Sequence, residues 1–443
     1  MSKMIGTCRL DITPPMGLFV SGYNVPRYAD GVLDPLYVNT VVFEEDGRKA
    51  AIVVLDNLGI YNPRIFDGIR SLTQELGMDE ESMFICCTHT HTGPAFWVGS
   101  EGRELEKELS PKYNRFVWDR ICDSVRVAIG DLAPVKEISA REGKTEGLTF
   151  VRRFQLKDGT YRTWANKLRD PELLRPASQA DETLRTTVIT REDGREVILV
   201  NFQCHPDCVS GNKISADYPG FVRNTVEAGR PGSFCVFLDG AEGQMVYTDW
   251  MGGTTPHNGI EKARNLGEAL GHHALALAAR ALPCEDTPLN YCRASVTVPT
   301  KLDMSKVPEA ERICKLHAEG RDREFSKDRQ EMNCIFAAAR EMMVLARDQK
   351  YEIELPISVI TFGGLALVGV CGEPFCEFGV LVREGSPYSV TNVCCQTNQA
   401  INYYPTAESY EQGGYEASNS RLKPGAMEAL AQLSVDTLKK LHG

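Results

Sequence analysis

The sequence lacks several features that mark common classes of protein. No two of its fifteen cysteines have the C-x-x-C spacing, so neither a zinc ribbon nor a disulfide framework is indicated. The first residues lack the apolar core of a secretion signal. Basic residues are fewer than acidic residues, and the formal net charge of -11 disfavours nucleic acid and anionic membranes as partners. We therefore expect a cytoplasmic protein with reduced thiols.

A long unbroken apolar run is also missing, and so are internal repeats, low-complexity segments and Pro/Ser-rich linkers. The longest uncharged stretch, residues 355–372, has the length of a membrane span but is interrupted by Gly363-Gly364. Two β-strands joined by a Gly-Gly turn explain it better. The 443 residues would fit two fused lobes or one large α/β domain, and we expect a single domain over residues 1–443.

An apolar run at residues 83–87 leads into Thr-His-Thr-His-Thr-Gly-Pro, which ends in a turn signal. The pattern predicts a buried strand that carries His89 and His91 to its carboxyl end. If the strand stays extended, the two imidazoles point the same way, because side chains alternate along a strand. Neutral imidazole suits zinc, so the pair is half of a metal site in which both histidines could bind.

Three further apolar runs end in polar residues. The run at 196–204 ends in His205-Pro206, the run at 233–238 ends in a glycine-rich turn with Asp239 and Glu242, and the run near 370 ends in Glu373-Pro374. Ligands gather outside the carboxyl ends of the strands in α/β proteins. His89, His205 and Glu373 would make a zinc site with an open position for water. Asp56 also follows a strand, but turn formation is the commoner use of such a residue.

The predicted fold class is α/β, a mixed β-sheet catalytic domain flanked by helices with the site at the strand ends. Asp46-Gly47 predicts a second β-hairpin. A helix should start at Ser110-Pro111, with the serine as N-cap and the proline at the first helical position. Residues 305–350 are charged and helix-periodic, and we expect a helical hairpin inserted on the outside of the fold.

Ordered segments along the chain share residue types with one known family. They are Thr-His-Thr-His-Thr-Gly-Pro at 88–94, Asn-Phe-Gln-Cys-His-Pro at 201–206, Ala-Asp-Tyr-Pro-Gly at 216–220, Gly-Glu at 372–373 and a tyrosine-rich loop at 403–418. Asp-Ile-Thr-Pro-Pro at 11–15 and Ser-Gly-Tyr at 21–23 also fit. Along nearly its whole length the chain resembles the neutral/alkaline (non-lysosomal) ceramidase family, as a divergent member. The family's secretion signal and C-terminal immunoglobulin-like domain are not expected here.

The resemblance implies one catalytic zinc ion and amide hydrolysis. Carried over by motif, the zinc ligands would be His89, His205, Glu373 and Tyr403. On the same ground the catalytic groups facing the substrate carbonyl would be His91 and Tyr415, with Arg153 as the family arginine near the pocket. The substrate-binding residues would be Arg152, Gln244 and Asp217, and either arginine could take the role of the family residue.

One departure from the family concerns the nucleophile. The family's Gly-Asp-x-Ser segment falls on residues 243–246, so Gln244 and Val246 replace its acid and its serine. Either zinc-activated water attacks the substrate directly, or a nearby hydroxyl such as that of Thr248 substitutes. We favour water, because a covalent route needs a base beside the hydroxyl and none is evident next to Thr248.

The expected function is a zinc-dependent hydrolase of a soluble amide. A lactone or ester hydrolase with the same site is one alternative, and a metal-dependent ligand-binding protein without turnover is another. A phosphoesterase is disfavoured by the acidic charge and the lack of a phosphate-cradling loop. We expect a small-molecule substrate, with long-chain ceramide a poor one because nothing in the sequence brings the chain to a bilayer. A homo-oligomer is compatible with the sequence.

Overall fold

The computed structural model describes residues 3–23, 25–62, 64–96, 104–253 and 259–443, with side chains of 104–106 left aside. In chain order the strands are β1 Met4–Asp11, β2 Gly31–Val32, β3 Tyr37–Glu45, β4 Arg48–Leu55, β5 Met83–Cys87, β6 Ala133–Lys144, β7 Phe150–Val151, β8 Arg153–Leu156, β9 Tyr161–Thr163, β10 Leu173–Pro176, β11 Thr183–Arg191, β12 Glu196–Phe202, β13 Lys213–Ile214, β14 Phe234–Asp239, β15 Met245–Val246, β16 Leu282–Pro283, β17 Asn290–Pro299, β18 Glu352–Phe362, β19 Leu365–Val370, β20 Glu373–Pro374, β21 Val390–Cys394 and β22 Tyr403–Tyr404. The helices are α1 Ile65–Glu75, α2 Glu104–Gly130, α3 Asp217–Gly229, α4 Ile260–Ala278, α5 Val307–Ala318, α6 Arg329–Arg347, α7 Cys376–Gly385, α8 Ala407–Gln412, α9 Tyr415–Ser418 and α10 Ala426–His442.

A large mixed sheet has the strand order β14-β12-β11-β6-β1-β3-β4-β5, with β16 paired to β6. The two outermost pairs, β14 with β12 and β4 with β5, are parallel. The pairs between them are antiparallel. The pairing between β1 and β6 is the shortest in the sheet's strand order, with only two residue pairs, Met4–Pro134 and Ile5–Ala133. The predicted mixed sheet is confirmed, and it consists of two halves joined at this narrow point.

A second sheet, with the order β17-β18-β19-β21, packs on the large one. Between the sheets lies a core that takes alternate residues of each, such as Ile52 and Val54 from β4 and Leu365 and Leu367 from β19. On the outer face of the large sheet, α1 and α2 cover one half, and α3 and α4 cover the other. On the outer face of the second sheet lie α7 and α10. The fold therefore has four layers, helices–sheet–sheet–helices, and strands such as β5 and β19 are buried on both faces.

Two predicted β-hairpins are present. Gly363 and Gly364 form the turn between β18 and β19, and both have positive φ, 52° and 78°. Asp46 and Gly47 form the turn between β3 and β4, also with positive φ. Two consecutive residues with positive φ are what a tight hairpin turn requires, which is why glycine occurs in both. Among the described residues, no helix has the length and apolarity that crossing a membrane would need.

One helix differs from the sequence prediction. The helix expected to start at Ser110-Pro111 begins earlier, at Glu104, and contains Pro111 within it. The predicted helical hairpin is confirmed as α5 and α6, which share a small apolar core of their own. The inner face of α6 packs against α9 in the tyrosine-rich loop, so the hairpin covers this loop from the outside of the fold.

Candidate metal centre and active site

The two edges of the large sheet meet at one point. His89 follows β5 at one edge, whereas Glu242 follows β14 at the opposite edge and His205 follows the neighbouring strand β12. Yet His89 Nε2 is 3.8 Å from Glu242 Oε1, and the His89 and His205 ring centroids are 5.2 Å apart. The sheet must therefore curl until its edges approach. This closure brings together side chains that the strand order alone would separate.

His89 is delivered by an unusual backbone rather than by an extended strand. β5 ends at Cys87, and His89 has φ +64°, a left-handed conformation that is uncommon outside glycine. Its Nδ1 donates to the carbonyl oxygen of Leu58 at 2.6 Å, so Nε2 faces the cluster. The assumption that the strand stays extended through His91 was wrong, but the two imidazoles still converge, with Nε2 atoms 3.3 Å apart. Local strain of this kind is typical of functional sites.

His205 is held in the same manner from the other half of the sheet. Its Nδ1 lies 3.1 Å from the Glu242 carbonyl oxygen and 3.2 Å from that of Met245, and we assign the ring proton to this nitrogen. Its Nε2 then faces Glu373, whose Oε2 is 3.3 Å away. Both histidines thus use one nitrogen to bind the backbone and turn the other inward, which is how metal-binding histidines are oriented.

Glu373 and Tyr403 are neighbours across a short parallel pairing of β20 with β22. Glu373 Oε2 lies 3.8 Å from His89 Nε2, within reach of both histidines. The Tyr403 ring stacks beside His205 with centroids 6.3 Å apart. The structure therefore brings together the four residues that the resemblance named as ligands, three in one cluster and the phenol next to it.

The electrostatics keep the three histidines neutral. Burial lowers the pKa of His89 and lowers that of His91 well below its ordinary value. Burial, followed by the nearby Arg152 guanidinium, lowers the pKa of His205 to about 4. A metal ligand must be deprotonated, and these imidazoles are available as ligands at neutral pH without losing a proton.

Several ligand-type atoms of the cluster have no hydrogen-bond partner within the described residues. His205 Nε2, Glu373 Oε2 and both carboxylate oxygens of Glu242 are buried without a hydrogen-bond partner. Buried polar atoms are otherwise almost always paired. Imidazole and carboxylate are ligand types that zinc accepts, and the ligand atoms of His89, His205, Glu242 and Glu373 all lie within 4.8 Å of one another. The residues present therefore fit a divalent metal ion such as zinc.

Glu242 is the member of the candidate ligand group that the sequence prediction did not assign. It was noted only as a polar residue of a glycine-rich turn. A strand-end acid at the end of β14 was a signal of the same type as Glu373, but nothing local distinguished it from a turn residue. His91 belongs to a second possible ligand group with His89 and His205, so both ligand sets share two histidines.

His91 lies on the open side of the cluster. It is half-buried, its Nδ1 has no hydrogen-bond partner, and the Tyr23 ring packs edge-on against it at 5.4 Å. Gly22 lies directly behind the ring, where a Cβ would come within 2.9 Å of His91 atoms, and its φ is +107°. Only glycine fits there. The prediction that His91 faces the substrate stays open, and its position is compatible with that role.

Tyr415 lies on the side of the cluster opposite His91. Its ring centroid is 4.8 Å from that of Trp164 and 5.8 Å from that of Tyr403. Its hydroxyl accepts a hydrogen bond from Asn419 Nδ2 at 3.1 Å. Burial raises the pKa of Tyr415 to about 12, so the phenol keeps its proton and can donate it to a hydrogen bond. The Trp164, Tyr403 and Tyr415 rings thus form an aromatic border on this side of the cluster.

The two adjacent arginines have different surroundings. Arg152 Nε donates to Glu416 at 2.7 Å, and its guanidinium lies over the Tyr403 and Trp164 rings, beside the cluster. Arg153 reaches the same Glu416 carboxylate at 3.4 Å, but it also donates to the Gly413 carbonyl oxygen at 2.9 Å and to the Gln412 side chain at 3.1 Å. Arg153 therefore fixes the tyrosine-rich loop, and Arg152 is the arginine that adjoins the site.

Two residues predicted to bind substrate are engaged elsewhere. Gln244 Nε2 donates to Glu377 at 2.7 Å, and its Oε1 accepts from the Cys376 backbone at the start of α7. Asp217 accepts from the backbone N–H groups of Val209 and Tyr218. The structure gives both side chains structural partners and does not bring them into the cluster.

Asp56 and Val246 also have structural surroundings. Both Asp56 carboxylate oxygens accept from Arg223, at 2.7 and 2.6 Å, in a buried ion pair beneath the His89 segment. Val246 is buried and pairs with Phe150 between β15 and β7. Val246, which the resemblance places at the family serine, has no group that could act as a nucleophile.

The helical hairpin reaches the site from outside. Arg340 of α6 donates to Asn419 Oδ1 at 2.8 Å, and Asn419 in turn donates to the Tyr415 hydroxyl. At the start of α6, Gln330 Nε2 lies 3.2 Å from Asn166 Oδ1 and 3.4 Å from the Trp164 carbonyl oxygen. The hairpin thus holds both aromatic residues that border the cluster on this side.

Comparison with known proteins gives a likeness in structure only. No protein-family model and no curated protein matches the sequence. The crystal structure of neutral ceramidase from Pseudomonas aeruginosa is similar to the whole chain with a TM-score of 0.73 and 16% identity, over 75% of its own length. A ceramidase complexed with C2 gives a TM-score of 0.73 at 17% identity, over 100% of this chain and 75% of its own. The chain thus has the fold of the neutral ceramidases, as the sequence motifs predicted.

Proposed function

We propose that the protein is a zinc-dependent hydrolase that cleaves the C–N bond of an amide. The observation that carries the proposal is the convergence of His89, His205 and Glu373, with partnerless buried polar atoms, at the carboxyl ends of their strands. The chain shares its fold with neutral ceramidases, but one fold can host many reactions, so the proposed chemistry is argued from the residues of the site. In this proposal His89, His205 and Glu373 hold the metal, and Tyr403 is the fourth ligand.

A zinc ion bound there would lower the pKa of a water molecule and polarise the substrate carbonyl. The chain's own residues then have separable tasks. His91 is neutral and retains one ring N–H, and Tyr415 retains its phenol proton, so each can donate to the oxygen that becomes negative as water adds to the carbonyl. As the C–N bond breaks, the amine nitrogen leaves with a proton that comes from the attacking water.

Arg152 acts through its neighbours in this proposal. Its guanidinium is shared between Glu416, the Gly243 carbonyl and the faces of Tyr403 and Trp164. A buried, permanently charged group at this position favours negative charge on Tyr403 and on the substrate oxygen. We leave Arg153, Gln244 and Asp217 out of the catalytic set, because their side chains are bound to other parts of the protein.

The proposal is tested by measuring metal content and turnover together. Purified protein should contain one zinc per chain by elemental analysis and should release amine from at least one member of a panel of soluble amides. The same panel should include esters, lactones and ceramides of short and long acyl chain, the last in mixed micelles. Loss of turnover with a chelator and its recovery with zinc are expected. A metal-loaded protein that cleaves esters or lactones but no amide would overturn the proposal.

The remaining expectations are part of this proposal. We propose a single domain over residues 1–443, a small-molecule substrate and a cytoplasmic location. Poor activity on membrane-embedded long-chain ceramide relative to soluble amides is part of the same proposal. A full zinc complement without turnover on any substrate would favour the metal-dependent binding protein instead.

A further inference from the structure

Glu242 lies inside the candidate metal centre. Its side chain is fully buried, with Oε1 3.8 Å from His89 Nε2 and Oε2 3.1 Å from His205 Nδ1. With Glu373 it belongs to the group of four whose ligand atoms lie within 4.8 Å of one another. We propose that Glu242 is a direct ligand of the same metal ion, so that the centre has two imidazoles and two carboxylates. This inference rests on the metal of the proposed function.

The hydrogen bonds around Glu242 point to a ligand. Neither of its carboxylate oxygens has a hydrogen-bond partner in the described protein, although the residue is wholly inaccessible to solvent. The 3.1 Å contact with His205 Nδ1 is not a hydrogen bond, because that nitrogen points to the Glu242 and Met245 carbonyl oxygens. A buried carboxylate without donors is costly unless a cation compensates it.

The charge balance points the same way. Asp239, Glu242 and Glu373 bring three carboxyl groups into one buried region, and the nearby Arg152 is already paired with Glu416. All three side chains are buried, so the negative charge that they concentrate here is not screened by water. A divalent cation bound among them would offset that charge. The alternative is that Glu242 holds a proton shared with Asp239 and binds no metal.

The additional carboxylate changes which metals the site should prefer. Together with Tyr403, five protein donors would surround the ion, three of them oxygen. Zinc is most often four-coordinate in proteins but expands to five, whereas carboxylate oxygens suit manganese and magnesium. A centre with Glu242 as ligand should therefore bind Mn²⁺ better than a two-histidine, one-glutamate centre would.

The test compares the apoprotein with Glu242→Gln in metal titrations that contain no substrate. Competition with a chromophoric chelator gives the affinities for Zn²⁺ and Mn²⁺, and cobalt substitution gives an absorption spectrum that reports coordination number. Glu242→Gln should bind Zn²⁺ about 100-fold more weakly, since even residues that only orient ligands contribute 10–100-fold. The loss should be larger for Mn²⁺. The cobalt absorption should become more intense as the coordination number falls.

Glu377→Gln is the matched control, because Glu377 is a nearby carboxylate that binds Gln244 and lies outside the cluster. It should leave affinities and spectrum unchanged. If Glu242→Gln folds poorly, Glu242→Asp keeps the charge but shortens the side chain, and it should also weaken metal binding and alter the spectrum. Affinity and spectrum unchanged in a folded Glu242 variant would overturn the inference in favour of the shared proton. Absence of turnover would count against the proposed function alone.

Discussion

The two sides of the candidate site are built differently. The metal side consists of residues that directly follow strands of the central sheets, and all four members of the ligand group are buried. The opposite side consists of the Trp164 loop and the tyrosine-rich loop, held by the α6 helix of the hairpin. Catalytic groups on a rigid scaffold with variable loops above them are common in α/β enzymes. The comparison predicts that the metal side determines whether chemistry occurs, and that the hairpin side tunes rate and substrate.

The largest loss of activity is expected when a residue on the metal side of the site is substituted. His205→Ala should abolish metal binding and lower kcat/KM on any substrate found by at least about 1000-fold, because a catalytic metal contributes several kcal/mol and each 1.4 kcal/mol is tenfold. Elemental analysis and steady-state kinetics are the measurements. His272→Ala, an exposed histidine of α4, is the control and should change neither. Retention of full metal content by the His205 variant would place the centre elsewhere.

A smaller effect is expected at the boundary between the two sides. His91→Ala should keep the metal but lower kcat about 100- to 1000-fold, the usual cost of losing one donor to a developing oxyanion. Metal content and kcat are measured on the same preparation. Metal loss equal to that of a His89→Ala variant would show instead that His91 is a ligand, as in the three-histidine group.

On the hairpin side we expect substitutions to lower kcat only modestly. Arg340→Ala should lower kcat by about tenfold with little change in KM, because Asn419 loses the partner that orients it toward Tyr415, and tenfold corresponds to about one hydrogen bond. Metal content and thermal stability should stay as in the parent protein. Arg312→Ala on α5, where the side chain is half-exposed and pairs with Glu309, is the matched control. An effect confined to stability would make the hairpin merely structural.

The smallest effect is expected from substitution of Thr248, two residues after Val246. Thr248→Ala should keep kcat within about threefold, because the neighbouring carboxylate, Asp249, accepts from the backbone N–H groups of Met251 and Gly252 and is not hydrogen-bonded to the Thr248 hydroxyl as a base would be. Kinetics of the variant and mass spectrometry of enzyme quenched during turnover are the checks. A trapped acyl group on any hydroxyl would show covalent catalysis and would shift the chemistry away from the metal side.

The parts of the site that could be predicted are those with a local signal. A buried strand that ends in histidine or glutamate is visible in the sequence, and His89, His205 and Glu373 were found in this way. The fold class followed from alternating strands and helices together with the ordered motifs. Both hairpin turns followed from residues that tolerate positive φ.

What could not be predicted depends on distant contacts. Glu242 joins the cluster only because the sheet curls until its edges meet, and no local pattern encodes that closure. Arg153 and Gln244 stand next to site residues in sequence, but their partners at Gln412, Gly413 and Glu377 lie far along the chain. The hairpin was visible as two helices, whereas its contact with Asn419 depends on docking. The sequence therefore predicted helices and strands correctly, but it did not predict the tertiary contacts between them.

The meeting of the two sheet edges has a consequence for folding. The ligand group spans residues 89 to 373, so the metal position does not exist until most of the chain has assembled. Contacts between residues so far apart in sequence slow folding, because loop closure must precede any gain from the contact. A metal ion that bound only the assembled state would join the two halves of the large sheet late in folding. It would stabilise the native chain in proportion to the logarithm of its free concentration, and metal depletion would loosen the junction of the edges before the helical layers.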